Sequence, residues 1–210
     1  PMALRVVGVE NERGPVGAAV VGATAGGAPG DAASDSVWPL IERGVLDEVL
    51  RHHTTLVFVN SRGLAEKLTA RLNDLYAGGV LGHDAVKGYG NALHVDSVVG
   101  STTALVGSHD DGDAIAMAHH GSVSKDRRKR IEEDLKHGRL RCVVATSSLE
   151  LGIDMGSVDL VIQIAPPFSV SSGLQRVGRA DHQVGGISHA LFYPITPRHL
   201  LALGATIEAM

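Results

Sequence analysis

The stretch VVATSSLELGID, residues 143–154, constrains this chain more than any other. An apolar run stops abruptly at Thr146, Ser147 and Ser148, and Gly152 and Asp154 follow close behind. A buried strand that hands its carboxyl end to small polar groups belongs in an open α/β sheet, where ligands sit beyond the carboxyl ends of the strands. The hydroxyls and backbone N–H groups of such a corner suit a phosphate or a sugar. A second stretch, QRVGRADH at 175–182, sets Arg176 and Arg179 three residues apart, on one face of an expected helix. Together the two stretches suggest a surface for polyphosphate and a nucleic-acid backbone.

The rest of the chain repeats the alternation of apolar run and helical stripe. LRVVGV at 4–9 reads as a short strand, and a Gly/Ala/Asp/Ser tract at 10–36 reads as a flexible linker. Trp38, Ile41, Val45, Leu46, Val49 and Leu50 fall at helical spacing over 38–53. TTLVFV at 54–59 is a buried parallel strand ending at Asn60, Ser61 and Arg62, and a leucine-spaced helix covers 64–76. Residues 77–112 read as a surface insertion. Strands are expected at 114–118, 140–145, 158–164 and 187–193, the third stopped by Pro166 and Pro167. Helices are expected at 125–137 behind a Ser124 cap, from Ser171 or Ser172 onward, and at 198–210. Strands alternating with helices imply an α/β fold, a mostly parallel sheet with helices on both faces.

Composition narrows the function classes. At 210 residues and 44% hydrophobic, the chain is large enough for one sizeable core. The formal charge of -4 argues against binding nucleic acid through bulk charge, so partners must be read from local sites. The single cysteine, Cys142, lies in an apolar run and reads as a small buried hydrophobe, which with the absence of a signal sequence points to a reducing, cytoplasmic setting. No run approaches the roughly 20 apolar residues needed to span a bilayer, so no membrane partner is expected.

Several familiar sites are missing. A phosphate-cradling loop needs Gly-Lys before Ser or Thr, and the chain has no Gly-Lys pair. Asp47 and Glu48 sit within an amphipathic helix rather than after a strand, so they are not a magnesium box. His52-His53 and His119-His120 are adjacent pairs that diverge, without zinc-ligand spacing, and no metal site is expected. Gly88-Tyr89-Gly90 lacks the third glycine of a dinucleotide fingerprint. The basic run from Lys125 to Arg130 pairs with Glu132, Glu133 and Asp134 as a solvated helix face, or else meets phosphate beside His120 and Gly121. Thr146 reads equally as a cap on its own backbone, Asp154 as a turn residue, and Arg179 as a partner of Asp181.

Three segments carry a family resemblance: TLVFVNSRGLAEKL at 55–68, AMAHHGSVSKDRRKRIEEDLKHGRLRCVVATSSLELGIDMGSVDLVIQ at 116–163, and LQRVGRADH at 174–182. From Trp38 onward the chain resembles the second RecA-like domain of superfamily 2 helicases, in particular that of the Lhr (large helicase-related) proteins. The resemblance implies a single RecA-like domain at 37–196, preceded at 1–36 by the short strand and linker. A helix at 197–210 would lead to a downstream domain.

The resemblance also implies roles. Asn60, Ser61 and Arg62, with His120 and Gly121, match motifs that meet a nucleic-acid strand through its backbone. Thr146 matches a hydroxyl that contacts a strand phosphate. Gly152 and Asp154 match the part facing the nucleotide, the aspartate toward the ribose. Gln175, Arg176 and Arg179 match the catalytic motif, with Arg179 as the arginine finger toward the γ-phosphate. The implied activity is ATP-dependent 3'-5' translocation on DNA, in DNA repair. ATP and magnesium would be bound mainly by a preceding RecA-like domain, and a winged-helix domain would follow. Partners would be single-stranded DNA and a DNA or RNA:DNA duplex. One departure stands out: Asp181 occupies the place of the motif's usual glycine and adds a negative charge near the expected triphosphate. The alternative is a nucleic-acid-binding or regulatory module that does not turn over ATP.

Overall fold

A computed structural model describes residues 2–7, 10–11, 14–15, 36–81, 114–150, 158–180 and 187–210. In chain order the elements are β1 (Met2–Val6), β2 (Glu10–Asn11), β3 (Gly14–Pro15), α1 (Trp38–Arg51), β4 (Thr55–Phe58), α2 (Arg62–Leu81), β5 (Ala116–His119), α3 (Lys125–Lys136), β6 (Cys142–Ala145), β7 (Leu160–Ile164), α4 (Val170–Val177), β8 (Ser188–Tyr193) and α5 (Pro197–Glu208). Six strands form one sheet in the order β1-β8-β7-β4-β6-β5, every neighbouring pair parallel.

The side chains explain why the sheet is covered on both faces. Every residue of β4, β6 and β7 is buried, as continuous apolar runs require when neither face meets water. Alternate residues then serve opposite layers. Val57 and Val59 join Ile41, Val45 and Val49 of α1 and Ala65, Leu68 and Leu72 of α2. Leu56 and Phe58 join Ile131 and Leu135 of α3, Val177 of α4 and Leu203 of α5. Close approach is visible at two glycines. A Cβ on Gly44 would stand 3.0 Å from the Tyr193 hydroxyl, and one on Gly173 would stand 3.2 Å from Pro167 Cγ and closer still to Met210. Cys142 is fully buried in the sheet, which pushes its thiol pKa up and leaves it a packing residue.

The expected alternation of elements holds, with local differences. The first strand runs Met2–Val6 rather than 4–9 and pairs with β8, so it is an edge of the same sheet. Within the tract read as a linker, β2 and β3 form a short antiparallel pair. α2 continues through Gly78 to Leu81 instead of stopping at Tyr76, so the opening residues of the expected 77–112 insertion are helical. Helix propagation adds a hydrogen bond per residue and absorbs a glycine penalty of about 1 kcal/mol. Residues 82–113 lie outside the described residues. α4 begins at Val170, because Ser169 rather than Ser171 or Ser172 is its cap and accepts from the Ser172 N–H. At the edge strand β5, the Asn73 side chain from α2 donates to the Ala116 carbonyl and accepts from its N–H, each at 3.0 Å. That amide takes the place of a neighbouring strand and blunts the edge. No helix among the described residues is long and apolar enough to cross a membrane.

Candidate nucleotide and nucleic-acid interface

Segments far apart in sequence converge beyond the carboxyl ends of β4, β6 and β7. Arg176, on α4, is at their centre and only 1% exposed. Its Nε donates to Glu150 Oε1 at 2.7 Å, and Nη2 donates to the same oxygen. Nη1 donates to Gln163 Oε1 at 2.8 Å and, more weakly, to Asn60 Oδ1 at 3.3 Å. The guanidinium carbon lies 5.2 Å from the centre of the Phe58 ring, close enough for a cation–π contact. A buried guanidinium is tolerated only when its charge is paired and its donors are used, and both conditions are met. Arg176 therefore faces the interior, whereas its spacing with Arg179 suggested that both arginines face a ligand.

The partners of Arg176 are themselves fixed. Gln163, the polar residue of the β7 run, is 1% exposed and donates to the Ile164 carbonyl at 3.0 Å and the Ala165 carbonyl at 2.7 Å. Asn60 Nδ2 donates to the Pro166 carbonyl at 2.7 Å. These bonds hold the turn after β7, in which Ala165 has a left-handed backbone with φ 61°. That conformation crowds a Cβ and costs roughly 1–2 kcal/mol.

Arg179 lies past the end of α4, half-exposed at the rim. Its Nη2 donates to the Glu150 backbone carbonyl at 2.7 Å. Gln175, immediately before Arg176, is exposed on α4. Glu150 thus holds both arginines, through different groups, and its carboxylate also accepts from the Ser172 hydroxyl at 2.9 Å. Sequence reasoning passed over Glu150 and Gln163. The available signal was a polar residue where the pattern calls for an apolar one: Gln163 inside LVIQI, and Glu150 between Leu149 and Leu151.

The residues matched to strand contact lie along the neighbouring rim. Ser61 caps α2, its hydroxyl accepting from the Leu64 N–H at 3.2 Å. Arg62 is exposed, and its Nη1 donates to the Ser122 hydroxyl at 2.8 Å, joining the loops after β4 and β5. Gly121 is exposed, with open space where a Cβ would stand. His120 is buried at 5% exposure, with its ring turned toward Glu66 of α2 and Nδ1 accepting from the Ser122 N–H at 3.2 Å. A proton on Nε2 then completes the bond to Glu66. Only the backbone of His120 and Gly121 is left for a ligand. Thr146 is half-exposed, its N–H donating to the His119 carbonyl at 3.3 Å, and it opens a 3-10 turn over Ser147–Leu149.

Beneath this rim His119 was not foreseen as a site residue. Its Nε2 lies 2.9 Å from Glu132 Oε1, and Nδ1 lies 2.8 Å from the Ser148 hydroxyl. Burial lowers its pKa, opposed in part by Glu132, and nearby Arg128 contributes a smaller lowering of its own. A ring protonated on Nε2 donates to Glu132, while the single Ser148 hydroxyl proton is shared between the His119 carbonyl, at 2.9 Å, and Nδ1. The remaining expected positions, Gly152 and Asp154, and the departure at Asp181, lie outside the described residues.

Residues 98–182 match the helicase conserved C-terminal domain family. The Lhr helicase/uracil glycosylase of Escherichia coli K12 is 59% identical over 175 residues, covering 83% of this chain and 11% of that protein. The Lhr helicase/probable uracil glycosylase of Mycolicibacterium smegmatis is 49% identical over 185 residues, 84% of this chain and 12% of that protein. The structure of Mycobacterium smegmatis helicase Lhr bound to ssDNA and AMP-PNP superposes with a TM-score of 0.73 and 41% identity, covering all of this chain and 21% of the other. The chain belongs to the Lhr-type helicase C-terminal domains. It spans about a tenth of the length of these curated Lhr relatives. Its sheet is the RecA-like sheet of that Lhr neighbour, and the rim just described lies at the carboxyl ends of its strands.

Proposed function

We propose that this chain is the second motor lobe of an ATP-dependent Lhr-type helicase that moves 3' to 5' on DNA and serves DNA repair in the cytoplasm. The observation that carries this reading is the placement of Arg179: anchored at the rim by the Glu150 carbonyl, four residues beyond Thr146. A fixed guanidinium stabilises charge on a phosphoryl group in transfer without reorganising at the moment of reaction. In this reading ATP and magnesium bind mainly through a preceding RecA-like domain. What supports such a division is Arg179 at the rim, held there by the Glu150 carbonyl. Magnesium, when bound, neutralises charge on the phosphate oxygens.

The other residues take roles around that arginine. Gln175 lines the nucleotide side, with Gly152 and with Asp154 toward the ribose. Arg176 acts by holding α4 in place. Asn60, Ser61, Arg62, the His120 and Gly121 backbone and Thr146 meet one strand along its phosphates, so binding is salt-sensitive and weakly dependent on sequence. A winged-helix domain downstream adds to the grip on single-stranded DNA or on a DNA or RNA:DNA duplex. In the full-length protein, Arg179→Ala is expected to lower DNA-stimulated ATP turnover about a thousandfold. Single-strand binding without nucleotide should stay within about twofold. Turnover that survives the substitution overturns the reading. A full-length protein that binds strand but never hydrolyses ATP favours the binding-module alternative, with Asp181 as its sign.

A further inference from the structure

Glu150 makes contacts in three directions. Its N–H donates to the Ser147 carbonyl at 3.1 Å and closes the 3-10 turn that Thr146 opens. Its own carbonyl accepts from Arg179 at 2.7 Å. Its carboxylate accepts from Ser172 at 2.9 Å and from two nitrogens of the buried Arg176. The turn that follows Thr146, helix α4 and the segment just past α4 that carries Arg179 are therefore joined through one residue. Arg176 is bound in turn to Gln163 at the end of β7 and Asn60 beyond β4, so α4 cannot shift without moving the sheet rim. Packed, hydrogen-bonded groups of this kind move together rather than deform separately.

We propose that Glu150 is a positioning residue that couples strand engagement at Thr146 to the placement of Arg179. The inference rests on the functional reading above. A strand phosphate that pulls on the Thr146 turn shifts the Glu150 backbone, and the Glu150 carbonyl carries Arg179 with it. The carboxylate fixes the direction of that movement by pairing with Arg176, whose buried charge attracts it and resists its separation. The device needs both groups of Glu150. The carbonyl alone holds Arg179 but leaves α4 without its ionic anchor.

The test uses the full-length protein and follows ATP turnover with and without single-stranded DNA. Glu150→Ala is expected to lower DNA-stimulated kcat about a hundredfold, the penalty of a reacting-group misplacement near 1 Å. Glu150→Gln retains an acceptor oxygen and loses the charge, and is expected to lower kcat about tenfold while KM for ATP and the Kd for strand stay within about twofold. The factor by which DNA stimulates turnover should shrink in both variants. A merely structural role predicts something else: a lower Tm, with kcat per active molecule and the stimulation factor at wild-type values. That result, or a lower kcat with the stimulation factor intact, overturns the proposal. If Glu150→Ala does not fold, Glu150→Gln decides. Arg179→Ala run in parallel separates the two readings. Wild-type turnover in that variant removes the functional reading itself, whereas its loss beside unaffected Glu150 variants removes only the coupling role.

Discussion

Two buried polar centres stand under the rim of this domain, and they solve the same problem differently. Arg176, below the part of the rim that carries Arg179, is a permanent cation and is paired with a carboxylate, an amide pair and an aromatic face. His119, below the part of the rim that carries Thr146 and Gly121, is equally buried at 1% exposure but can discard its charge, and burial lowers its pKa in that direction. A guanidinium cannot deprotonate inside a protein, so its site must be built around a counter-charge and becomes rigid. An imidazole needs only a donor and an acceptor in place, here Glu132 and Ser148. One centre is therefore locked by a permanent cation and its counter-ion, and the other is held by a ring that can give up its charge.

The strongest way to break this contrast is Arg176→Ala, expected to destabilise the domain by about 3–5 kcal/mol by stranding the Glu150 carboxylate. Urea unfolding measures it. Replacing both partners, Arg176→Met with Glu150→Met, should recover most of that loss. A single-variant cost below about 1 kcal/mol would mean the pair behaves as an exposed one. His119→Ala should cost less, about 2 kcal/mol, because Glu132 and Ser148 are partly exposed and regain water. Equal costs at the two centres would dissolve the comparison.

The pH response sharpens it. Above pH 6.5, the ordinary value of the group, His119 is neutral in both the folded and the unfolded chain. Below it the unfolded chain binds a proton that the folded ring resists, so stability falls as pH drops through the window between 6.5 and the lowered folded value. Unfolding midpoints should decline over that range, and the part of the slope due to this residue should vanish in His119→Gln. An unchanged slope would assign the response elsewhere. The smallest effect is expected at Ala165→Gly, where relief of the left-handed backbone is offset by glycine's chain entropy, for a net gain below about 1 kcal/mol. A loss greater than that would show that the methyl group packs more than it strains.

Element type was legible because each buried strand is an almost continuously apolar run and each helix shows a stripe at its own period. Boundaries were less so. Gly78 marked an ending that helix cooperativity carried past, and the serines after Ser169 competed as caps until the backbone chose one. The candidate site was legible by residue type and hidden in orientation. Arg176 and Arg179 look alike in sequence, yet one is buried and ion-paired and the other stands half-exposed at the rim. His120 likewise turns its ring inward to Glu66, leaving its backbone at the surface.

What the amino-acid order determined alone was local: which runs exclude water on both sides, where small hydroxyls end a strand, and which motif residues are present to meet phosphate. The tertiary structure decided the partnerships, because these depend on groups that meet across long loops. Asn60 and Arg176 come together over 116 residues, and Glu150 reaches Arg176 over 26. No spacing rule spans such distances, and the free energy that turns one arginine inward arises only when carboxylate, amide and ring are already assembled around it.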